Sequence, residues 1–173
     1  MCHTQNATSR LCGLADCRFV PLLVVRHADA VSRSSWAEHD DPRPLSPKGF
    51  RQAKLLPDVL ADYKPTRIVS SPARRCLDTV VPLSELLGVP VEIDDRLAEG
   101  TPEGAIDMVR AMVGQDVALC SHGDIIPSVM KWVASKDKVN LGKRPRFEKA
   151  SVWVLDSGSK HFRSARYLPP PEV

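Results

Sequence analysis

Two stretches of this chain decide its fold, and a histidine follows the apolar run in each. Residues 22–27 read Leu-Leu-Val-Val-Arg-His, and residues 117–123 read Val-Ala-Leu-Cys-Ser-His-Gly. A short apolar run that stops at polar side chains is typical of a buried strand in a parallel sheet. Ligands of such sheets bind outside the carboxyl ends of the strands. We therefore expect Arg26, His27 and His122 to face one anion at this edge.

The composition fits one globular domain that acts on a small anion. The chain has 173 residues, of which 43% are hydrophobic and 26% charged, and its formal net charge is +3. Such a length and apolar content support a single core. A long nucleic-acid track requires a contiguous basic face, and the basic residues here are spread along the chain. We therefore expect a phosphorylated small molecule or nucleotide as partner, with a phosphoprotein as the alternative, and no nucleic-acid polymer.

Cysteine use and hydropathy indicate a cytoplasmic protein. The 5 cysteines are an odd number at irregular spacing, which does not make a disulfide framework. Cys12 and Cys17 lack a second ligand pair at zinc spacing, so we expect no metal site there. No segment approaches the roughly 20 apolar residues of a membrane span. These features predict reduced thiols, no membrane partner and no cofactor.

Strand and helix patterns alternate along the chain. This alternation predicts an α/β fold with three layers, in which helices cover both faces of a mostly parallel central sheet. Residues 1–18 are polar and aperiodic, and we expect them to be a disordered extension before one domain over 19–173. The predicted strands lie at 20–25, 67–70, 89–93, 116–120 and 152–156, and the predicted helices at about 47–62, 72–87, 102–113 and 124–135.

Three of the helices have the same predicted start. Ser46-Pro47, Ser71-Pro72 and Thr101-Pro102 each place a hydroxyl before a proline. The hydroxyl can accept from a free N–H at the helix start, and proline has no N–H to leave unpaired. Pro57 and Pro82 lie inside predicted helices, where each is expected to cause a kink or an early end.

Five side chains at strand ends or helix starts provide what hydrolysis of a phosphomonoester requires. His27 is the candidate nucleophile, and neighbouring arginines would keep it neutral. Arg26 and Arg75 are fixed positive charges for the phosphoryl oxygens, and Arg75 lies near a helix start that itself favours an anion. His122 can donate to the same group, and Glu99 is the candidate general acid.

Two points of this site stay open from the residues alone. Asp95 and Glu103 lie close to Glu99 in the sequence and compete with it for the role of acid. The basic residues of two further stretches can hold a second anionic group of the substrate, one in the loop before the first helix and one within 143–149. The candidate substrate contacts in them are Arg33, Trp36, His39, Arg43 and Arg144.

The chain resembles the histidine phosphatase superfamily, which has the phosphoglycerate-mutase-like fold. Five motifs carry this resemblance in order: Arg26-His27, Arg43-Pro44-Leu45-Ser46-x-x-Gly49, Ser70-Ser71-Pro72-x-x-Arg75-x-x-x-Thr79, Arg96-Leu97-x-Glu99 and Ser121-His122-Gly123. It implies that His27 is transiently phosphorylated, that Arg26, Arg75 and His122 hold the phosphoryl group, and that Glu99 donates the proton. The implied activity is that of a metal-independent phosphatase.

Within that superfamily the chain is similar to the compact branch that includes phosphohistidine phosphatases. Residues 36–45, 149–155 and 165–169 resemble more closely the histidine-phosphatase domain fused to Nudix hydrolases in actinobacteria. The chain departs from the family pattern at Ala28, where glycine usually follows the nucleophile. The resemblance to phosphohistidine phosphatases makes a protein phosphohistidine phosphatase one alternative to a small-molecule phosphatase. Ala28 makes a module that binds a phosphorylated ligand without turnover the other.

Overall fold

The computed structural model describes residues 20–173, and the extension expected over 1–18 lies outside them. Within this range the chain forms six strands and four α-helices. The strands are β1 (Pro21–Arg26), β2 (Arg67–Ser70), β3 (Val91–Ile93), β4 (Val117–Ser121), β5 (Val152–Ser157) and β6 (Phe162–Leu168). The helices are α1 (Pro47–Val59), α2 (Arg74–Leu87), α3 (Pro102–Ala111) and α4 (Ile125–Asp137).

All six strands form one sheet, in the order β3-β2-β4-β1-β5-β6. The four strands β3, β2, β4 and β1 run parallel, while β5 pairs antiparallel with both β1 and β6. β1 and β4 are neighbours, and their register places Arg26 opposite Ser121. The two strand ends that carry the histidines therefore lie side by side, as the sequence predicts.

Alternating side chains of β1 point into two separate cores. Leu22 and Val24 belong to a buried cluster with the apolar faces of α3 and α4. Leu23 and Val25 belong to another, which α1 and α2 cover. Burial on both faces explains why β1 is an unbroken apolar run. The predicted three-layer fold with a mostly parallel sheet is confirmed.

Local structure departs from the sequence-based expectations at four places. The expected hydroxyl cap at Thr101 is wrong, because Thr101 Oγ1 donates to Ala98 O at 2.7 Å and makes no capping hydrogen bond to α3. Ser46 caps α1 as predicted, since its Oγ accepts from Gly49 N at 3.1 Å. The expected cap at Ser71 is wrong, because α2 begins at Arg74 and its N-cap residue is Ala73. Pro82 does not end α2, which continues to Leu87.

The fourth departure is β6, which the sequence analysis leaves without a strand. Of its seven residues only Phe162 is fully buried, and arginines occupy two exposed positions. Charged side chains on an edge strand prevent it from pairing with other chains. Such a strand lacks the regular apolar alternation by which a sequence predicts a strand. Within residues 20–173, the structure contains no helix that is both long and apolar enough to cross a membrane.

Candidate active site

The carboxyl ends of β1 and β4 bring the two histidines together. The ring centroids of His27 and His122 lie 5.5 Å apart, with an angle of 62° between the ring planes. His27 N donates to Ser121 O at 3.0 Å, which continues the strand pairing to the catalytic end. Both side chains are buried, so the pair forms the floor of the site.

The environment of His27 prepares one of its nitrogens for attack. Nδ1 lies 2.7 Å from the carbonyl oxygen of Ala28 and donates to it, so Nε2 carries the free lone pair. Burial lowers the pKa of His27 to about 3, and the charges of His122, Arg75 and Arg26 add to this effect. The sequence analysis attributes the neutral state to the arginines, whereas burial is the larger cause. At neutral pH the imidazole is an uncharged nucleophile.

Arg75 is the most deeply buried cation of the site. It is 1% exposed, and its Nη1 donates to the main-chain oxygen of Asp40 at 3.0 Å. Its Nη2 lies 3.0 Å from the Asp40 carboxylate and 3.2 Å from Glu99 Oε1. Thr79 ties its helix to the nucleophile, because Thr79 Oγ1 accepts from Ala28 N at 2.9 Å and donates to Arg75 O. The sequence motif that contains Arg75 and Thr79 thus fixes a cation beside His27.

The hydrogen bonds of His122 determine which of its two ring nitrogens carries the proton. Arg75 Nη2 can only donate, so the contact of 3.2 Å to His122 Nδ1 makes that nitrogen an acceptor. The proton then resides on Nε2, which donates to Ser71 Oγ at 2.7 Å. The Ser71 hydroxyl therefore orients a site histidine, and this contact explains why it does not cap α2. Cys76 Sγ lies 3.5 Å from the same Nε2.

Arg26 lies directly over Gly123. A Cβ atom added at Gly123 would lie 2.5 Å from Arg26 Nη2, so the guanidinium would have to move away. The glycine therefore leaves room for the guanidinium at this position. Phe147 O accepts from Arg26 Nη1 and holds the group in place. Among residues 20–173, Nε of Arg26 and Nε of Arg75 are buried and have no hydrogen-bond partner.

Unpartnered buried N–H groups are rare in proteins and call for a physical reason. Here both belong to guanidinium groups at the ends of the strands, where a phosphoryl group would provide acceptor oxygens. A tetrahedral anion has enough oxygens to satisfy both Nε–H groups. These two donors are the strongest local indication of an anion site.

Glu99 lies beside two arginines and His122 at the mouth of the site. It forms an ion pair with Arg33, another with Arg75, and its Oε1 lies 3.5 Å from His122 Nδ1. Its side chain is 36% exposed, so it contacts both the buried pocket and solvent. Asp95 and Glu103, the competing acids, do not line the cavity described below.

Asp40 is a residue that the sequence analysis missed. Its carboxylate contacts three arginines, at 2.8 Å from Arg43 Nε, 3.0 Å from Arg75 Nη2 and 3.2 Å from Arg33 Nε. Burial raises the pKa of Asp40, but the hydrogen bonds and charges of Arg43, Arg75 and Arg33 outweigh burial and lower it to about 2. The carboxylate therefore stays ionised. Nothing local in the sequence marks Asp40, because its three partners come together only in the fold.

A cavity of about 790 Å³ opens above His27. Of the predicted substrate contacts, Arg33 and Arg43 line it. In the part of the chain that the structure describes, its lining does not include Trp36, His39 or Arg144. Trp36 instead stabilises the loop before α1, since its Nε1 donates to His39 O at 2.8 Å. From the basic stretch 143–149, it is Lys149 that reaches the cavity.

Ala28 does not crowd the site. Its methyl group is fully buried in a small apolar cluster with Leu45, Ala53 and Ala150. The residue is absent from the lining of the described cavity. The departure from glycine after the nucleophile therefore fills a core position behind the pocket.

The fold and the site define a class of α/β protein in which two histidines and two arginines lie together beside the carboxyl ends of parallel strands. The model of the histidine phosphatase superfamily (branch 1) matches residues 22–112, and the chain belongs to that family.

The chain is similar to two sequence relatives whose names give an activity. The 8-oxo-(d)GTP phosphatase of Mycolicibacterium smegmatis is 29% identical over 160 residues, which cover 87% of this chain and 48% of that protein. A glucosyl-3-phosphoglycerate phosphatase of Mycolicibacterium vanbaalenii is 51% identical over 55 residues, or 32% of this chain and 24% of that protein. The chain thus spans about half of the first relative and about a quarter of the second.

Solved structures share the whole fold. A protein described as the phosphohistidine phosphatase SixA, from Agrobacterium tumefaciens, superposes with a TM-score of 0.73 at 25% identity, covering 88% of this chain and 99% of that one. The mycobacterial glucosyl-3-phosphoglycerate phosphatase complexed with VO3 gives a TM-score of 0.67 at 21% identity, covering 86% and 97%. The latter likeness concerns the fold alone.

Proposed function

We propose that this chain is a metal-independent phosphatase that hydrolyses a phosphomonoester of a small molecule or nucleotide through a phosphohistidine on His27. One observation carries the proposal: a buried neutral imidazole with a free Nε2 lies beside two guanidinium groups whose buried Nε–H donors are unpartnered. A nucleophile and fixed positive charge for the phosphoryl oxygens are what this chemistry requires.

In the first step the lone pair of His27 Nε2 attacks phosphorus in line with the ester oxygen. The P–N bond forms, the P–O bond of the ester breaks, and Glu99 gives its proton to the departing oxygen. The hydrogen bond from Nδ1 to Ala28 O stabilises the positive charge that develops on the ring. Arg26 and Arg75 hold the equatorial oxygens, and His122 lies beside them to complete the phosphoryl site. The two guanidinium groups place charge where other phosphoryl-transfer sites use a metal ion.

In the second step water hydrolyses the phosphohistidine. The Glu99 carboxylate takes a proton from the water, the new P–O bond forms and the P–N bond breaks. Phosphate leaves, and His27 returns to its neutral form with Glu99 protonated again. Each turnover therefore consumes one water and one ester and needs no further reactant.

The contacts of Glu99 suit it to exchange its proton. A phosphoryl group that approaches Arg75 competes with Glu99 for the same Nη2, so the Glu99 carboxyl group is released from that contact beside the reacting group. Asp40 contacts that nitrogen as well, but three arginines keep it ionised. We therefore assign the proton transfer to Glu99 and the role of permanent counter-ion to Asp40.

A protein phosphohistidine phosphatase is the second candidate. The likeness to SixA, which extends over 99% of that chain, favours it. A cavity of about 790 Å³ is in the range of pockets that enclose a small molecule, and this favours the first candidate. Both use the same phosphohistidine chemistry and differ in the group that leaves.

The test is phosphate release in the presence of EDTA from p-nitrophenyl phosphate, a panel of nucleotides and a phosphohistidine protein. Release by the unmodified protein and its loss in His27→Ala are expected, together with an acid-labile phosphoryl label on the unmodified protein alone. His161→Ala, at an exposed histidine outside the site, is the matched control and keeps full activity. Release that EDTA abolishes, or that His27→Ala retains, would overturn the proposal.

A further inference from the structure

The cavity is larger than one phosphoryl group requires, and its further wall is also charged. Beyond His27 it is lined by Asp29, Arg43, Ser46 and Lys149. The phosphoryl group itself is accounted for by the buried residues of the strand ends. The remaining space therefore belongs to the rest of the substrate, and its charges bear on which substrate fits.

The main chain holds Lys149 at a fixed place beside the nucleophile. The next residue, Ala150, donates its N–H to Arg26 O and His27 O, both at 3.1 Å. Arg26 N in turn donates to Ser151 O at 3.0 Å. Ala150 adopts a φ of 62°, which is uncommon for a residue with a side chain and persists only where surrounding contacts impose it. The turn that presents Lys149 is thus bonded directly to the catalytic strand end.

Lys149 has fewer acceptors than the other loop-side cations that line the cavity. Arg33 and Arg43 each contact Asp40 and a second acceptor, and Arg26 is bound by the carbonyl group of Phe147. Lys149 Nζ forms an ion pair with Asp29 Oδ1 at 2.7 Å, and the two side chains are 41% and 30% exposed. Ion pairs at this exposure contribute little, so an incoming anion can replace the aspartate.

Asp29 has a second partner that remains if Lys149 moves. Ser46 Oγ donates to Asp29 Oδ2 at 2.6 Å, and Ser46 is itself fixed as the cap of α1. Losing Lys149 therefore does not leave the carboxylate without a hydrogen bond. The exchange of Asp29 for a substrate anion is local and needs no movement of the fold.

We infer that Lys149 binds a second anionic group of the substrate, so that the natural substrates are phosphomonoesters that also carry a carboxylate or another phosphate. This inference rests on the proposed function and makes its substrate class more specific. Lys149 is then a specificity-determining residue, which does not touch the reacting atoms and leaves the chemical step on simple esters unchanged.

Binding of phosphonates tests the inference without any turnover. Methylphosphonate carries one anionic group, whereas phosphonocarboxylates and bisphosphonates with one to three methylene groups carry two. Calorimetric titration of the full chain should show that at least one class of two-anion probe binds more tightly than methylphosphonate. Lys149→Gln should weaken that probe about tenfold and leave methylphosphonate unchanged. The class that responds distinguishes a carboxylate from a phosphate as the second group.

Lys143→Gln is the matched control, because Lys143 is an exposed lysine of the same stretch that does not line the cavity. It should retain the tight binding. The inference fails if no two-anion probe binds the unmodified protein more tightly than methylphosphonate, or if Lys149→Gln weakens all probes equally. Failure of the proposed function has a different signature, since it removes phosphate release while these titrations are unaffected.

Discussion

The strand side of the site, where His122 and Arg75 lie behind the cavity lining, and the loop side are built on different physical principles. On the strand side, His27, His122 and Arg75 are each 5% exposed or less and are held by short hydrogen bonds. On the loop side, Arg33 and Lys149 are 62% and 41% exposed and are held by ion pairs near solvent. Buried groups keep their positions whether or not a ligand is bound, whereas exposed ion pairs exchange partners at small cost.

From this difference we propose that the strand side carries out the chemistry and the loop side selects the substrate. Fixed charge in a buried site stabilises a transition state because it needs no reorganisation during the reaction. Exchangeable charge on the loop side can adapt to the part of the substrate that does not react. Asp40 joins the two sides, since its carboxylate contacts both Arg75 and Arg33.

The largest expected effect comes from removing one arginine on each side. Arg75→Ala should lower kcat/KM for p-nitrophenyl phosphate about a thousandfold, because the site loses a buried charge aimed at the phosphoryl oxygens. Arg33→Ala should lower it less than about tenfold, because its charge is mostly screened by water. Steady-state kinetics on both variants, with circular dichroism to confirm folding, measures the contrast. Equal losses would show that the two sides do not differ as described.

A smaller loss is expected where the two sides meet. Asp40→Asn removes the charge that holds Arg75, Arg43 and Arg33 but keeps the size of the side chain. We expect kcat/KM to fall about fiftyfold, because the arginines are no longer held in place. Loss of a group that orients a site residue typically costs between about tenfold and a hundredfold. Asp41→Asn, next to it in the loop, is the control and should lose less than about twofold, since Asp41 is largely exposed.

The effect of the leaving group on the loss of kcat/KM shows how Asp40 acts. If Asp40 acts through Arg75, the loss should be the same for esters with good and poor leaving groups, because proton donation by Glu99 is intact. A loss confined to poor leaving groups would instead make Asp40 the proton donor. Such a result would reverse the assignment of the two carboxylates.

The same difference between the strand side and the loop side explains which site residues the sequence predicts. Arg26, His27 and His122 are placed by strand ends, and an apolar run that stops at a histidine is visible in one chain. The parallel pairing of β1 with β4 then brings them together. The layers of the fold follow from the alternation of strands and helices for the same reason, since each element carries its own periodicity.

The loop side depends on contacts between distant parts of the chain, which no local pattern encodes. Asp40 matters because arginines at three separate positions converge on it. Ser71 has the local signature of a helix cap, but a histidine 51 residues away engages its hydroxyl. Among the basic residues of 143–149, the turn at Ala150 selects Lys149 rather than Arg144, and a positive φ at an alanine has no sequence signal.

Burial of the nucleophile should also appear in the stability of the fold. His27 has a pKa of about 3 in the folded protein, against 6.5 for an unperturbed histidine. Below pH 6.5 the unfolded chain binds a proton that the folded chain does not, so the free energy of unfolding falls as the pH falls. For one proton the slope is about 1.4 kcal/mol per pH unit, or about 2 kcal/mol between pH 6.5 and 5.

Urea unfolding of the unmodified protein and of His27→Gln at these two pH values isolates this contribution. The variant should lose about 2 kcal/mol less than the unmodified protein over the interval. His161→Gln, at an exposed histidine, should show the same loss as the unmodified protein. An identical pH dependence in all three proteins would mean that His27 is not buried in its neutral form.

The smallest expected effect concerns His122, whose Nε2 has two neighbouring side chains. His122 Nε2 lies 2.7 Å from Ser71 Oγ and 3.5 Å from Cys76 Sγ. The hydroxyl is a good acceptor and the thiol a weak one, so the orientation of the ring depends on Ser71. Ser71→Ala should lower kcat about tenfold by leaving a buried N–H unpaired, whereas Cys76→Ala should change kcat less than about threefold while costing about 1 kcal/mol of core packing. A larger loss in Cys76→Ala than in Ser71→Ala would identify the thiol as the group that positions His122.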